Sequence, residues 1–298
     1  MKGVRDTATI LDRIVARKVE EVAAARARRM PRGCGYPEDD APPVRRDPAA
    51  ATAVAATAVA ATAVAATSVA GSRPGFVAAL RDRRPGRPII AEIKKASPSA
   101  GILREPFDPV AIARAFTQAG ARCLSVITDE KFFSGSLDVL RQVRAATALP
   151  LIRKDFIIDW VQLVEAVEAG ADAALLIARI LDDALLADLY AAATALGLET
   201  LIEVHDAADL ERALDLIPRP DLIGVNNRDL ADFTVSLRRT LDLLPLLPTG
   251  ITLVSESGLS DPADLDRLLA AGVNAFLIGT ALLKAEDPGL ALRRLVES

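Results

Sequence analysis

Histidine, cysteine and lysine are all scarce in this chain. Its 298 residues include one histidine and two cysteines, and only seven of its 36 basic residues are lysine. Cys34 lies in a loop-like stretch and Cys123 inside an apparent strand. A disulfide or a metal cluster therefore has nothing to build on, and two reduced thiols are expected. Basic runs are missing too. The formal net charge is -4 and the arginines are dispersed, which argues against nucleic-acid binding. Charged residues, Pro or Gly, and in 49–70 Thr and Ser, cut every apolar run before it reaches the ~18 residues of a membrane span. Residues 1–30 mix both signs of charge and lack the apolar core of a signal peptide. A soluble, cytoplasmic protein is expected, a monomer or weak oligomer with neither membrane nor nucleic acid as partner.

What is present is enough for one large core: 51% of the residues are hydrophobic, and the length suits an α/β barrel of roughly 250 residues once a tail is set aside. Residues 7–29 read as an amphipathic helix, with Ile10, Ile14, Val15, Val19 and Val22 near one stripe and Arg, Lys and Glu opposite. Pro31 ends it, and a Gly/Pro-containing loop runs to residue 48, closing an N-terminal region of 1–48. Residues 49–70 form a low-complexity Ala/Thr/Val insert in which AATAV recurs with a period of five, placing Val54, Val59, Val64 and Val69. Five residues turn a helix by about 140° and flip strand faces, so the valines make no stripe in either form. A disordered or irregular segment without function is expected there.

From residue 71 to 298 short apolar runs alternate with amphipathic segments, as repeated βα units do. Strands are expected at 89–93, 123–127, 151–153, 173–177, 200–204, 222–225, 252–254 and 275–278. Helices such as 109–119, 160–169, 183–196 and 262–270 lie between them. Eight such units predict a (β/α)8 TIM barrel with an extra N-terminal helix, in which chemistry sits at the C-terminal ends of the strands.

The polar residues collect at those ends. In IIAEIKKASPSAGIL, Ile90, Glu92 and Lys94 share one parity and so one face of a strand that continues that far, and the chain then turns at Ser97-Pro98-Ser99. The third strand ends in Lys154-Asp155-Phe156, the fifth in Glu203, the sixth in Asn226 with Arg228 just beyond, and the seventh in Ser255-Glu256-Ser257-Gly258. Lys94, Lys95, Lys131 and Lys154 lie at or just past strand ends in a chain that otherwise prefers arginine, which suits a titratable point charge. Ser257-Gly258 and Gly279-Thr280, on consecutive strands, offer unobstructed backbone N–H groups for a phosphate. Phe133 and Phe156 follow the lysines and suit the flanks of an aromatic ring. His205 is expected in a loop or helix-capping role.

In AEIKKASPSAGIL, SVITDEKFFSGS, PLIRKDFIID, TLIEVHD, IGVNNRDL, VSESGL and FLIGTALL, occurring in that order, the chain resembles the indole-3-glycerol phosphate synthases. The insert departs from the family pattern. The resemblance implies a carboxy-lyase of tryptophan biosynthesis that closes the pyrrole ring of 1-(2-carboxyphenylamino)-1-deoxyribulose 5-phosphate and releases CO₂ and water, without metal or organic cofactor. It implies Lys154 as general acid, Lys94 on the substrate carboxylate or sharing proton transfer, and Glu203 as base of the dehydration. Glu92 and Asn226 orient these groups, and Arg228 reaches the carboxylate. Ser97, Ser257, Gly258, Gly279 and Thr280 then hold the phosphate, and Phe133, Phe156 and Leu175 flank the ring. A donating lysine is expected to have a pKa not far above neutrality. Asp155 is expected to complete a three-carboxylate set with Glu92 and Glu203. Phosphoribosylanthranilate isomerase, a non-catalytic barrel scaffold and a Schiff-base aldolase are the alternatives.

Overall fold

Runs such as IIAEI and AALLI are apolar at nearly every position, which suits strands covered by side chains inside and helices outside. In a computed structural model, which describes residues 3–5, 7, 9–29, 74–229 and 232–297, these runs are β1 (Ile89–Ile93), β2 (Cys123–Ile127), β3 (Leu151–Lys154), β4 (Ala173–Ile177), β5 (Glu199–Val204), β6 (Leu222–Asn226), β7 (Thr252–Glu256) and β8 (Ala275–Ile278). All eight pair in parallel, and β1 bonds both β2 and β8, so the sheet closes on itself and leaves no edge. The register sets Glu92 beside Ser125, Ile127 beside Lys154 and Asn226 beside Glu256. Beyond β1, residues Ala96–Ser97 and Gly101–Ile102 form a small antiparallel hairpin.

The outer helices begin where the sequence supplies acceptors. Asp108, Asp159, Asp182, Asp206 and Asp261 each accept a backbone N–H of the helix that follows, which satisfies one orphan donor and suits the positive end of the helix dipole. The helix Pro262–Ala271 ends on Gly272, whose φ of 115° a side chain would resist.

The N-terminal helix α1 spans Ile10–Arg29, starting three residues later than the periodicity suggests. The reason is local: Asp12 accepts the Thr7 and Thr9 N–H groups, and the Thr9 hydroxyl accepts Leu11 N, so this stretch caps the helix instead of joining it. Leu11, Ile14, Val15, Val22 and Ala25 face the barrel, where α1 meets α6 (Trp160–Glu168). Lys18, expected on the solvent face, lies on this buried stripe at 3% exposure. The loop and insert read from the sequence at 32–48 and 49–70, and Cys34 with them, fall outside the described residues. Cys123 is a free, buried thiol.

Candidate active site

Lys154, the last residue of β3, ends inside the barrel between carboxylates from two other strands. Its Nζ lies 2.7 Å from Glu203 Oε2 of β5 and 2.9 Å from Glu256 Oε2 of β7. Glu203 also accepts from Asn226 Nδ2 of β6 at 3.1 Å, which turns the carboxylate toward the lysine. Across the mouth, Lys94 pairs with Glu92. Lys94 reaches it from just past β1, which ends at Ile93 as expected. Room for these carboxylates comes from two glycines. A Cβ at Gly224 would fall on Glu256 Oε1, and one at Gly279 on Glu92 Oε1.

Three carboxylates and two ammonium groups leave this nearly dry cluster one negative charge in excess, and the titration of its members follows. Burial pushes Glu256 up to about 7; Lys154 opposes this, but the like charges of Glu203 and Glu92 add to it. Glu203 goes the other way. Burial favours its neutral form, but Lys154 outweighs that and holds the carboxyl at about 2. Burial would lower the Lys154 pKa, yet Glu203, Glu256 and Glu92 more than compensate, so it stands well above the ordinary lysine range. The expectation of a lysine near neutrality is therefore corrected: the pocket keeps a firmly protonated donor and loosens a proton on Glu256 instead.

The remaining predicted residues lie on the barrel strands or in the segments that follow them. Ser97 is buried in the hairpin past β1. Ser257 and Gly258, past β7, both take positive φ, 69° and 79°. Gly279 caps the short helix Thr280–Lys284. Phe133, at the end of the one-turn helix α4 (Glu130–Phe133), and Phe156, just past β3, stand with ring centroids 6.0 Å apart. Leu175 of β4 pairs in register with Leu201. Arg228 is engaged in its own loop: its Nη1 donates to the Phe233 carbonyl at 3.1 Å, and its backbone N to Asn226 Oδ1 at 3.0 Å.

Residues 46–295 match the sequence model of the indole-3-glycerol phosphate synthase family. The chain belongs to that family. It is 47% identical over 288 residues to the "Indole-3-glycerol phosphate synthase" of Polaromonas sp. (strain JS666 / ATCC BAA-500), covering 96% of this chain and 97% of that protein. Its identity to the protein of the same name from Burkholderia vietnamiensis (strain G4 / LMG 22486) is 45%, again over 96% of this chain and 98% of that one. With that of Albidiferax ferrireducens (strain ATCC BAA-621 / DSM 15236 / T118) it shares 54% over 222 residues, 74% of this chain and 83% of that one. Among solved structures the barrel is similar to "3-Hexulose-6-Phosphate Synthase", with TM-score 0.55 and 17% identity over 70% of this chain and 97% of that one. It is also similar to "KGPDC from Streptococcus mutans", with TM-score 0.53 and 12% identity over 70% of this chain and 95% of that one. These two share the fold. Family membership makes the chain a carboxy-lyase of tryptophan biosynthesis acting on a phosphorylated small molecule. No described helix is long and apolar enough to cross a membrane.

One reading of the sequence needs correction. The third carboxylate of the cluster around Lys154 is Glu256, not Asp155. Asp155 follows Lys154 and so points the opposite way, out of the barrel, where it binds Lys18, Arg153 and Thr128. Parity carried the signal for Glu256: it pairs in register with Asn226 and Leu277 at the end of β7. His205 lies, as expected of a loop residue, in the bend between β5 and the next helix, which Asp206 caps. It is buried, with Nε2 3.6 Å from Glu203 Oε1, and burial lowers its pKa.

Proposed function

We propose that Lys154 and Glu203 are the acid and base with which this chain converts 1-(2-carboxyphenylamino)-1-deoxyribulose 5-phosphate to indole-3-glycerol phosphate, CO₂ and water. The observation that carries this reading is the one ammonium shared by Glu203 and Glu256 inside the barrel mouth. In the proposed sequence the substrate's amine nitrogen pushes electrons into the ring, and the ring carbon bearing the carboxylate attacks the ketone. Lys154 Nζ gives its proton to the ketone oxygen as the new carbon–carbon bond forms. Loss of CO₂ returns the bonding pair to the ring; in the dehydration Glu203 takes a proton from the sugar carbon next to the nitrogen, the C–H pair becomes the new ring double bond, and the hydroxyl, protonated by Lys94, leaves as water. Lys94 holds the substrate carboxylate, or shares the proton transfer, and Glu92 and Asn226 keep these groups oriented.

A protonated Glu256 supports the same reading, because it brings the cluster to neutrality and lowers its repulsion of an anionic substrate. Ser97, Ser257, Gly258, Gly279 and Thr280 would hold the phosphate, Phe133, Phe156 and Leu175 would flank the ring, and Arg228 would meet the carboxylate once its loop contact is exchanged. No metal or organic cofactor takes part in this scheme. The test is fluorescence detection of indole-3-glycerol phosphate from the carboxyphenylamino substrate without added metal or cofactor. Turnover by the wild-type chain and its loss in Lys154→Ala is the expected outcome. Tight binding of substrate without turnover by the wild type would refute the reading.

A further inference from the structure

The two aromatic rings at the mouth belong to different βα loops, and one side chain from α1 ties both loops together. Lys18 Nζ lies 2.8 Å from Asp155 Oδ1, 3.0 Å from Asp129 Oδ2 and 2.7 Å from Glu21 Oε2. Asp129 caps α4, accepting Phe132 N at 2.8 Å, and so sets the turn that carries Phe133. Asp155 Oδ1 accepts Phe156 N at 2.8 Å. Its other oxygen takes the Thr128 hydroxyl at 2.6 Å and Arg153 Nη2 at 2.9 Å. Farther along α1, Arg26 pairs with Asp159, which accepts Val161 N at 2.9 Å. The backbone around Phe156 is thus held to α1 on both sides.

An ammonium on the apolar stripe of a helix is an expensive choice. Desolvating it and its partners costs several kcal/mol per ion, and a leucine packed in the same place is commonly as stabilising or more so. Burial by itself would lower the Lys18 pKa, but Asp155 and Asp129 outweigh it and hold it above the ordinary lysine range. What the ion achieves that a leucine cannot is a fixed distance between two carboxylates, each bonded to the backbone of a ring-bearing loop.

We infer that Lys18 is a positioning residue for the substrate's aromatic ring: it locks the Asp129 and Asp155 loops so that Phe133 and Phe156 form one wall of fixed spacing. The inference rests on the proposal that these two rings flank the substrate. Lys154 is held separately, by its strand and by Glu203 and Glu256, so Lys18 acts on ring binding and leaves proton transfer intact. In the full-length protein Lys18→Met should raise KM for the carboxyphenylamino substrate about tenfold and change kcat less than about threefold. Inhibition by ribulose 5-phosphate, which has the sugar phosphate but no ring, should be unchanged. If Lys18→Met alone loses cooperative melting, the same shift is expected in Lys18→Met/Asp129→Asn, which removes a lone buried carboxylate and keeps the helix cap. An unchanged KM, or equal weakening of ribulose 5-phosphate, overturns the inference. Phe156→Leu separates the two levels. If it leaves KM unchanged, the ring wall itself is misassigned; if it raises KM while Lys18→Met does not, only the positioning role fails.

Discussion

Replacing Glu256 by glutamine tests the charge balance of the site through stability, independently of turnover. Glutamine keeps the shape and an acceptor for Lys154 but cannot ionise. In the folded protein the Glu256 carboxyl is pushed up to about 7 from an ordinary 4.5, chiefly by burial. The native state therefore holds a proton that the unfolded chain has already lost between these two values, and wild-type stability falls as the pH rises through that window. At about 1.4 kcal/mol per pH unit, the ionised carboxylate costs about 3 kcal/mol once the pH is above 7. The glutamine variant escapes that cost at high pH and gains nothing at pH 4, where Glu256 is neutral in both states. Urea unfolding followed by circular dichroism, for wild type and Glu256→Gln at pH 4 and pH 8, reads the difference. The variant should gain about 3 kcal/mol relative to wild type between the two conditions. A stability difference that is the same at both pH values, or that favours wild type more at pH 8, would refute the argument that Glu256 carries the excess charge.

Lys154→Ala should lower kcat at least ~10³-fold while inhibition by inorganic phosphate persists; turnover within tenfold of wild type would remove Lys154 from the acid role. Gly279→Ala drives a methyl onto the Glu92 carboxylate, and a displacement near 1 Å there should lower kcat by ~10²-fold in steady-state assays, whereas unchanged kcat would show that Glu92 need not be held in place. Asn226→Ala removes the 3.1 Å bond to Glu203 and should reduce kcat/KM about tenfold, or ~1.4 kcal/mol; an unaltered value would mean that Lys154 alone orients Glu203. Asp155 is held below its ordinary 3.8: burial opposes this, but Arg153 and Lys18 prevail. It thus adds stability above pH 3.8 that is lost as the pH falls toward its folded value. Asp155→Asn should accordingly be less stable than wild type at pH 7 in urea, with the gap closing in acid.

Strands such as 89–93, 123–127, 173–177 and 275–278 were legible to the residue, because an apolar run flanked by charge and turn residues has only one way to sit in a closed parallel sheet. β3, β6 and β7 each run one or two residues farther than their apolar composition suggests, ending on Lys154, Asn226 and Glu256. The strand continues there because these polar side chains satisfy one another inside the barrel. Apolar periodicity cannot report that pairing.

Chain order, strand period and residue type therefore determined, by themselves, the barrel, the end of it that carries chemistry, and Lys154, Glu203, Lys94, Glu92 and Asn226 as the residues gathered there. Each of those follows from local chemistry repeated along the chain. Which carboxylates meet which ammonium was decided only by closure. The register of β3, β5 and β7 brought Glu256 to Lys154, and the fold brought Lys18 to Asp155, which alternation along the chain had already turned outward. Helix α1 then buried a lysine that its residue type assigns to solvent, although its spacing of four from Ile14 and Val22 puts it on the apolar stripe. Charge partners are chosen by distances of about 3 Å between residues far apart in the chain, such as Lys18 and Asp155, 137 positions apart, and no local pattern encodes such a distance. Only the folded barrel, with its low dielectric and few remaining partners, gives each of those charges its place.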